Sequence, residues 1–140
     1  MQSEINHFDD LLQAARTQRE RQRLLFVFAG TELPGDATPE QRARFAQGEG
    51  GVLVPLMCVD KLPEELESFA VLLQESQQFE QADRPWRLVF TAALAGQPGK
   101  APTEADAEAV LQRMVEAVKT GAFGAYLPFN REGQPVQLAP

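Results

Sequence analysis

"LLFVFAG", Leu24–Gly30, is a continuous apolar run, rich in phenylalanine and closed by a glycine. A strand with one wet face alternates apolar and polar residues; this one does not, so both of its faces need cover. Strands of that kind sit inside parallel sheets flanked by helices, and the rest of the chain supplies helical patterns on either side. Upstream, Phe8, Leu11, Leu12 and Ala15 fall at helical spacing, with Asn6 as the expected N-cap and the polar run "RTQRERQR" as the exit. Downstream, Thr38-Pro39-Glu40-Gln41 is a helix start: Thr38 caps, Pro39 takes the first helical position and Gln41 completes a capping box. "QGEGG" stops that helix near Gly48.

"VLVPLMCVD" reads as a second strand, and Pro55 inside it predicts a sheet edge or a bulge, because proline cannot donate to a ladder. Pro63 opens a third helix with Leu66, Phe69, Ala70 and Leu73 on its buried face. "WRLVFTAALA" is the longest apolar run and the expected central strand. A fourth helix starts at Thr103 and packs Ala107, Val110, Leu111, Met114 and Val118. "GAFGAYLPF" is a fourth strand, "NREG" a turn, and "PVQL" a short antiparallel return that makes a C-terminal β-hairpin. The order α-β-α-β-α-β-α-β-β predicts one α/β domain over residues 1–140. Its expected sheet has four or five mostly parallel strands, joined by right-handed helical crossovers.

The chain has 140 residues, enough for a single core. A formal charge of −7 repels a phosphate backbone and argues against nucleic-acid binding. With one cysteine and one histidine, neither an intrachain disulfide nor a structural zinc site is expected. "MQSEINHFDDLLQAA" has no apolar run of signal-peptide length, and no stretch approaches the roughly 20 apolar residues of a membrane span. The expectation is a cytoplasmic protein with no metal, no cofactor and no membrane partner.

"GQPGK", Gly96–Lys100, follows an apolar strand and precedes a helix, where a phosphate-binding loop would sit. Such a loop needs G-x-x-x-x-G-K-[ST], and here Leu94 stands in place of the first glycine and Ala101 in place of the hydroxyl. Pro98 and Pro102 remove backbone donors, and Glu104 and Asp106 put negative charge in the next first turn. The stretch reads as a structural connection. Cys58 shares an alternating strand face with Val54 and Leu56 and reads as a buried thiol; His7 reads as a surface residue. Ser3, Ser68 and Ser76 lie in no nucleophile-elbow context, and Arg16, Arg19, Arg21 and Arg23 read as a solvated helix end. No catalytic constellation emerges.

Topology suggests one more set. In a parallel sheet "GTELPGD", "DKLPE", "GQPGK" and "NREG" leave from one edge, where open α/β sheets bind ligands. Glu32, Asp36, Asp60, Lys61 and Lys100 would gather there, and Glu32, Asp60, Lys61 and Lys100 are the candidate ligand-binding residues.

"QRLLFVFAGTELP", "TPEQRARF", "LVPLMCVDK" and "LQRMVEAVKTGAFGAYLPFNREGQPVQL" resemble, across nearly the whole chain, a family of short bacterial proteins. Members of that family often carry the label "ribonucleotide reductase subunit alpha". A reductase large subunit works through a cysteine radical and a redox pair of cysteines. Here Cys58 stands alone and Tyr126 is the only tyrosine, so the resemblance carries over no reductase residue. Two functions follow from the sequence. The first is a non-catalytic module that binds a protein partner or forms a homodimer. The alternative is a binder or enzyme of a small-molecule ligand, a nucleotide or metabolite, at the loop edge.

Overall fold

Phe26 and Val27 are neighbours in the chain yet lie in different cores, and that alternation organises the molecule. The computed structural model describes residues 5–138. Its elements are, in order, α1 (Phe8–Arg16), β1 (Gln22–Glu32), α2 (Pro39–Ala46), β2 (Val52–Lys61), α3 (Phe69–Phe79), β3 (Leu88–Ala95), α4 (Glu104–Thr120) and β4 (Leu127–Phe129). Leu24, Phe26 and Phe28 of β1 pack against Phe8 and Leu12 of α1 and Phe69 and Leu72 of α3. Leu25, Val27 and Ala29 turn to the opposite face and meet Ala107, Leu111, Met114 and Val118 of α4. Both faces of β1 are therefore dry, as its unbroken apolar run predicts.

The strands do not run parallel. The sheet has the order β2-β1-β3-β4, and every neighbouring pair in it is antiparallel. This corrects the expected mostly parallel sheet, and α2 supplies the reason. A crossover helix must lay an apolar face on the sheet, and α2 has no buried residue at all. It rides instead in the connection of a wide β1–β2 hairpin. β2 and β3 run in the same direction on either side of β1, with α3 in their connection, and β1 and β4 share the opposite direction without being neighbours. The C-terminal hairpin is also corrected: "PVQL" forms no fifth strand. It contributes an isolated bridge between Phe129 and Pro135, and Val136 N–H donates to Pro128 C=O at 3.0 Å.

Local signals fared better than topology. Thr38 and Thr103 cap α2 and α4 through capping boxes with Gln41 and Asp106. The N-cap of α1 is His7 rather than Asn6: its Nδ1 accepts from Asp9 N–H, and its Nε2–H donates to Glu132 C=O at 3.0 Å. Pro63 opens a 3-10 turn over Pro63–Glu65, and α3 begins only after Ser68, so Phe69, Leu72 and Ser76 are buried while Ala70 is exposed. β2 lies at the sheet edge, and its register slips from Met57, opposite Phe28, to Pro55, opposite Ala29. Leu56 is thus a bulged extra residue, so Pro55 marks both an edge and a bulge. Among the described residues no helix is long and apolar enough to cross a membrane.

Candidate functional site

Reversing the strand directions scatters the loop-edge set. Glu32 lies opposite Val52 at the end of β1, whereas Asp60 lies opposite Leu25 near its beginning. Seven residues of strand, roughly 23 Å, separate those two positions. Glu32 pairs with Arg84 at 2.5 Å, at the far end of the sheet from the other three. Asp60 and Lys61 share their end with the Gly96–Lys100 connection, but their charges are engaged. Arg23 bonds Asp60 at 2.5 Å and, through Nε, the Pro102 carbonyl at 2.9 Å. Lys61 pairs with Glu75 of α3 at 3.0 Å. The candidate residues therefore do not converge.

"GQPGK" closes into a tight turn. Lys100 N–H donates to Gln97 C=O at 2.9 Å, and Gln97 N–H returns a bond to Lys100 C=O at 3.0 Å. Pro98 and Gly99, the latter at φ +71°, occupy the two central positions as a type II turn requires. A Cβ at Gly96 would lie 2.1 Å from the Lys100 carbonyl oxygen, so the glycine exists to let the chain double back.

The arginine cluster before β1 is more than a solvated helix end. Arg16 donates to the Leu66 and Glu67 carbonyls at 2.6 and 3.1 Å, Arg21 pairs with Glu64 at 2.6 Å, and Arg23 clips β1 to β2 and to the lead-in of α4. Among the described residues every buried side-chain N or O atom has a hydrogen-bond partner, and no cluster of three His, Cys, Asp or Glu side chains could hold a metal ion.

One surface is not accounted for by internal packing. Between the β2 edge and α3 lies an apolar groove of about 420 Å³, lined by Phe28, Met57, Cys58, Val59, Leu72 and Phe79, with Glu75 and Ser76 at its side. Phe79, the last residue of α3, is 74% exposed. It also borders a smaller groove of about 120 Å³ beside Pro55, Leu56 and Met57, so its ring stands as a ridge between two hollows. Cys58 is exposed, which corrects the expectation of a buried thiol: β2 is paired on one side only, and the bulge at Leu56 breaks the alternation that placed Cys58 with Val54.

The backbone beside this groove is open. Gly96 N–H donates to Arg21 C=O at 2.8 Å, which sets the alternation of the β1–β3 ladder. Arg23, Leu25 and Val27 bond β3, leaving Leu24, Phe26 and Phe28 to bond Lys61, Val59 and Met57. Cys58 and Asp60 therefore aim their N–H and C=O groups outward. Beyond the bulge Pro55 also faces outward, where its missing N–H breaks no bond. Sequence reasoning missed Phe79. Its signal was a lone large aromatic in the polar run "ESQQFEQADRP", continuing the spacing of Phe69, Leu72 and Ser76 past the end of the buried face.

The chain matches no family model, no curated protein and no solved structure.

Proposed function

We propose that this protein is a non-catalytic interaction module that self-associates through the β2 edge and the groove between β2 and α3. The observation that carries this reading is Phe79, exposed on the rim of an apolar hollow. A projecting ring beside a groove is self-complementary. In a two-fold dimer each Phe79 enters the other protomer's groove, and residue i meets j as j meets i. Burying one such ring contributes about 1.5–3 kcal/mol, and two of them act together. The outward amides of Cys58 and Asp60 supply backbone bonds for the same contact. The Lys61–Glu75 pair brings opposite charges together beside the groove. Small-ligand binding at the loop edge needed Glu32 beside Asp60, Lys61 and Lys100, and Glu32 lies at the other end of the sheet.

Sedimentation equilibrium over a micromolar concentration series tests the proposal. The wild-type chain is expected to be a dimer and Phe79→Glu a monomer with unchanged circular dichroism, since Phe79 contributes little to the core. A wild-type chain that stays monomeric at 200 µM (a concentration on the order of ten times the Kd expected of a weak dimer) would overturn it.

A further inference from the structure

We infer that the open half of β3 and the N-terminal half of α4 form a second docking groove, built for an extended acidic segment of a partner polypeptide. β4 pairs only with Val89, Phe90 and Thr91, so the ladder on that side of β3 stops halfway along the strand. The same alternation that follows from Gly96 and Arg21 turns Ala92 and Leu94 toward β1 and Ala93 and Ala95 outward. Pro128 obeys it from the other side: it faces away from β3, and its C=O accepts from Val136. Beyond Thr91 the outward N–H and C=O groups of Ala93 and Ala95 have no backbone partner among the described residues. Strand addition to an exposed edge uses groups of this kind.

A cavity of about 680 Å³ opens beside that edge, between the end of β3 and α4. Its walls include Leu94 and Val110 together with Ala95, Ala101, Ala105 and Ala109, whose short side chains leave room for another backbone to come close. Lys100 and Arg113 also line it, and among the described residues neither has a carboxylate within ion-pairing distance. By contrast Arg16, Arg21, Arg23, Arg84 and Arg131 all hold partners within the fold. Asp106 is the groove's one carboxylate, and it is turned to the cap, accepting from Thr103 N–H at 3.0 Å. The groove thus offers two cations in a chain of net charge −7, together with a row of main-chain groups. A free phosphate fits less well, because Pro98 and Pro102 withhold N–H donors and Asp106 stands at the helix start. An acidic β-strand uses both the edge and the charge.

The test is a selection of ten-residue linear peptides from a random phage-displayed library on the full chain, followed by affinity measurement of the enriched peptides as synthetic probes. Enrichment of acidic, β-prone sequences is expected, with binding at least tenfold weaker to Lys100→Glu/Arg113→Glu. Ala95→Pro, at the last residue of β3, removes an outward-facing N–H and no ladder bond to β1, and is expected to weaken binding with little change in the thermal transition. Phe79→Glu is expected to bind as wild type, which separates this groove from the self-association face. No enrichment, enrichment without acidic bias, or affinity indifferent to the charge reversal or to Ala95→Pro would each overturn the inference.

Discussion

The guanidinium of Arg131 lies 4.6 Å from the centre of the Trp86 ring and bonds both carboxylate oxygens of Glu80, at 2.5 and 3.3 Å. It also donates to the Trp86 carbonyl at 3.0 Å, while the Glu80 carboxylate accepts from Trp86 N–H at 2.9 Å. The indole N–H reaches Ser76 of α3 at 2.9 Å. The turn after β4 is thereby pinned to the end of α3 and the start of β3. Arg131→Lys keeps the charge but loses the planar fork. It is expected to cost about 1 kcal/mol and Arg131→Ala about 1.5–3 kcal/mol in urea denaturation. Trp86, the only tryptophan and almost wholly buried, reports the transition by fluorescence.

The same cluster sets a pH dependence. The hydrogen bond from Arg131, assisted by the one from Trp86 N–H, holds the Glu80 carboxyl below its ordinary value of 4.5. The folded state therefore binds this proton less readily than the unfolded chain. The contribution is complete above about pH 4.5 and is lost as pH falls through the lower folded value. Urea midpoints measured from pH 7 to pH 3 are expected to fall below pH 4.5, and to fall less steeply in Glu80→Gln. Equal slopes in the two proteins would remove Glu80 from the account.

Gly133 is the hinge of the turn docked on α1. It sits at φ +78°, and a Cβ there would lie 2.6 Å from His7 Nε2 and 3.1 Å from the Phe69 ring. Its carbonyl also accepts from Phe8 N–H at 2.7 Å. Gly133→Ala is expected to destabilise by about 1–3 kcal/mol, by strain alone, before the His7 cap is displaced. Gly124, where an added Cβ meets nothing within 4 Å, is the control position: Gly124→Ala should change the urea midpoint little.

Arg23 is the clip between β1, β2 and the approach to α4, with its side chain 12% exposed. Arg23→Ala leaves Asp60 and the Pro102 carbonyl without this donor and is expected to cost about 1.5–3 kcal/mol. Asp60→Asn, which keeps one acceptor for Arg23, is expected to cost less than Arg23→Ala. Hydrogen exchange should show the loss at the β1–β2 ladder and at the start of α4, and a uniform loss across the molecule would argue against a local clip.

Much of this was legible in the chain alone. The unbroken run Leu24–Gly30 determined that β1 is covered on both faces, Pro55 that β2 lies at an edge or carries a bulge, and Thr38 and Thr103 where two helices begin. These are local facts: side-chain periodicity and capping report what each residue faces, and they survive any topology. Strand direction does not leave that mark, because a strand buried on both sides reads the same in a parallel or an antiparallel sheet. The one local hint was "PEQRARFA", too polar to lie on a sheet as a crossover. Only the tertiary structure decided that Glu32 and Asp60 stand at opposite ends. It also paired Arg23 with Asp60 and Lys61 with Glu75, because ion pairs between strands depend on register, which no single segment encodes. By the same logic it left Phe79 outside the core and the edge at Ala93 and Ala95 open. Exposure of an apolar ring or an amide is set by where neighbouring elements end.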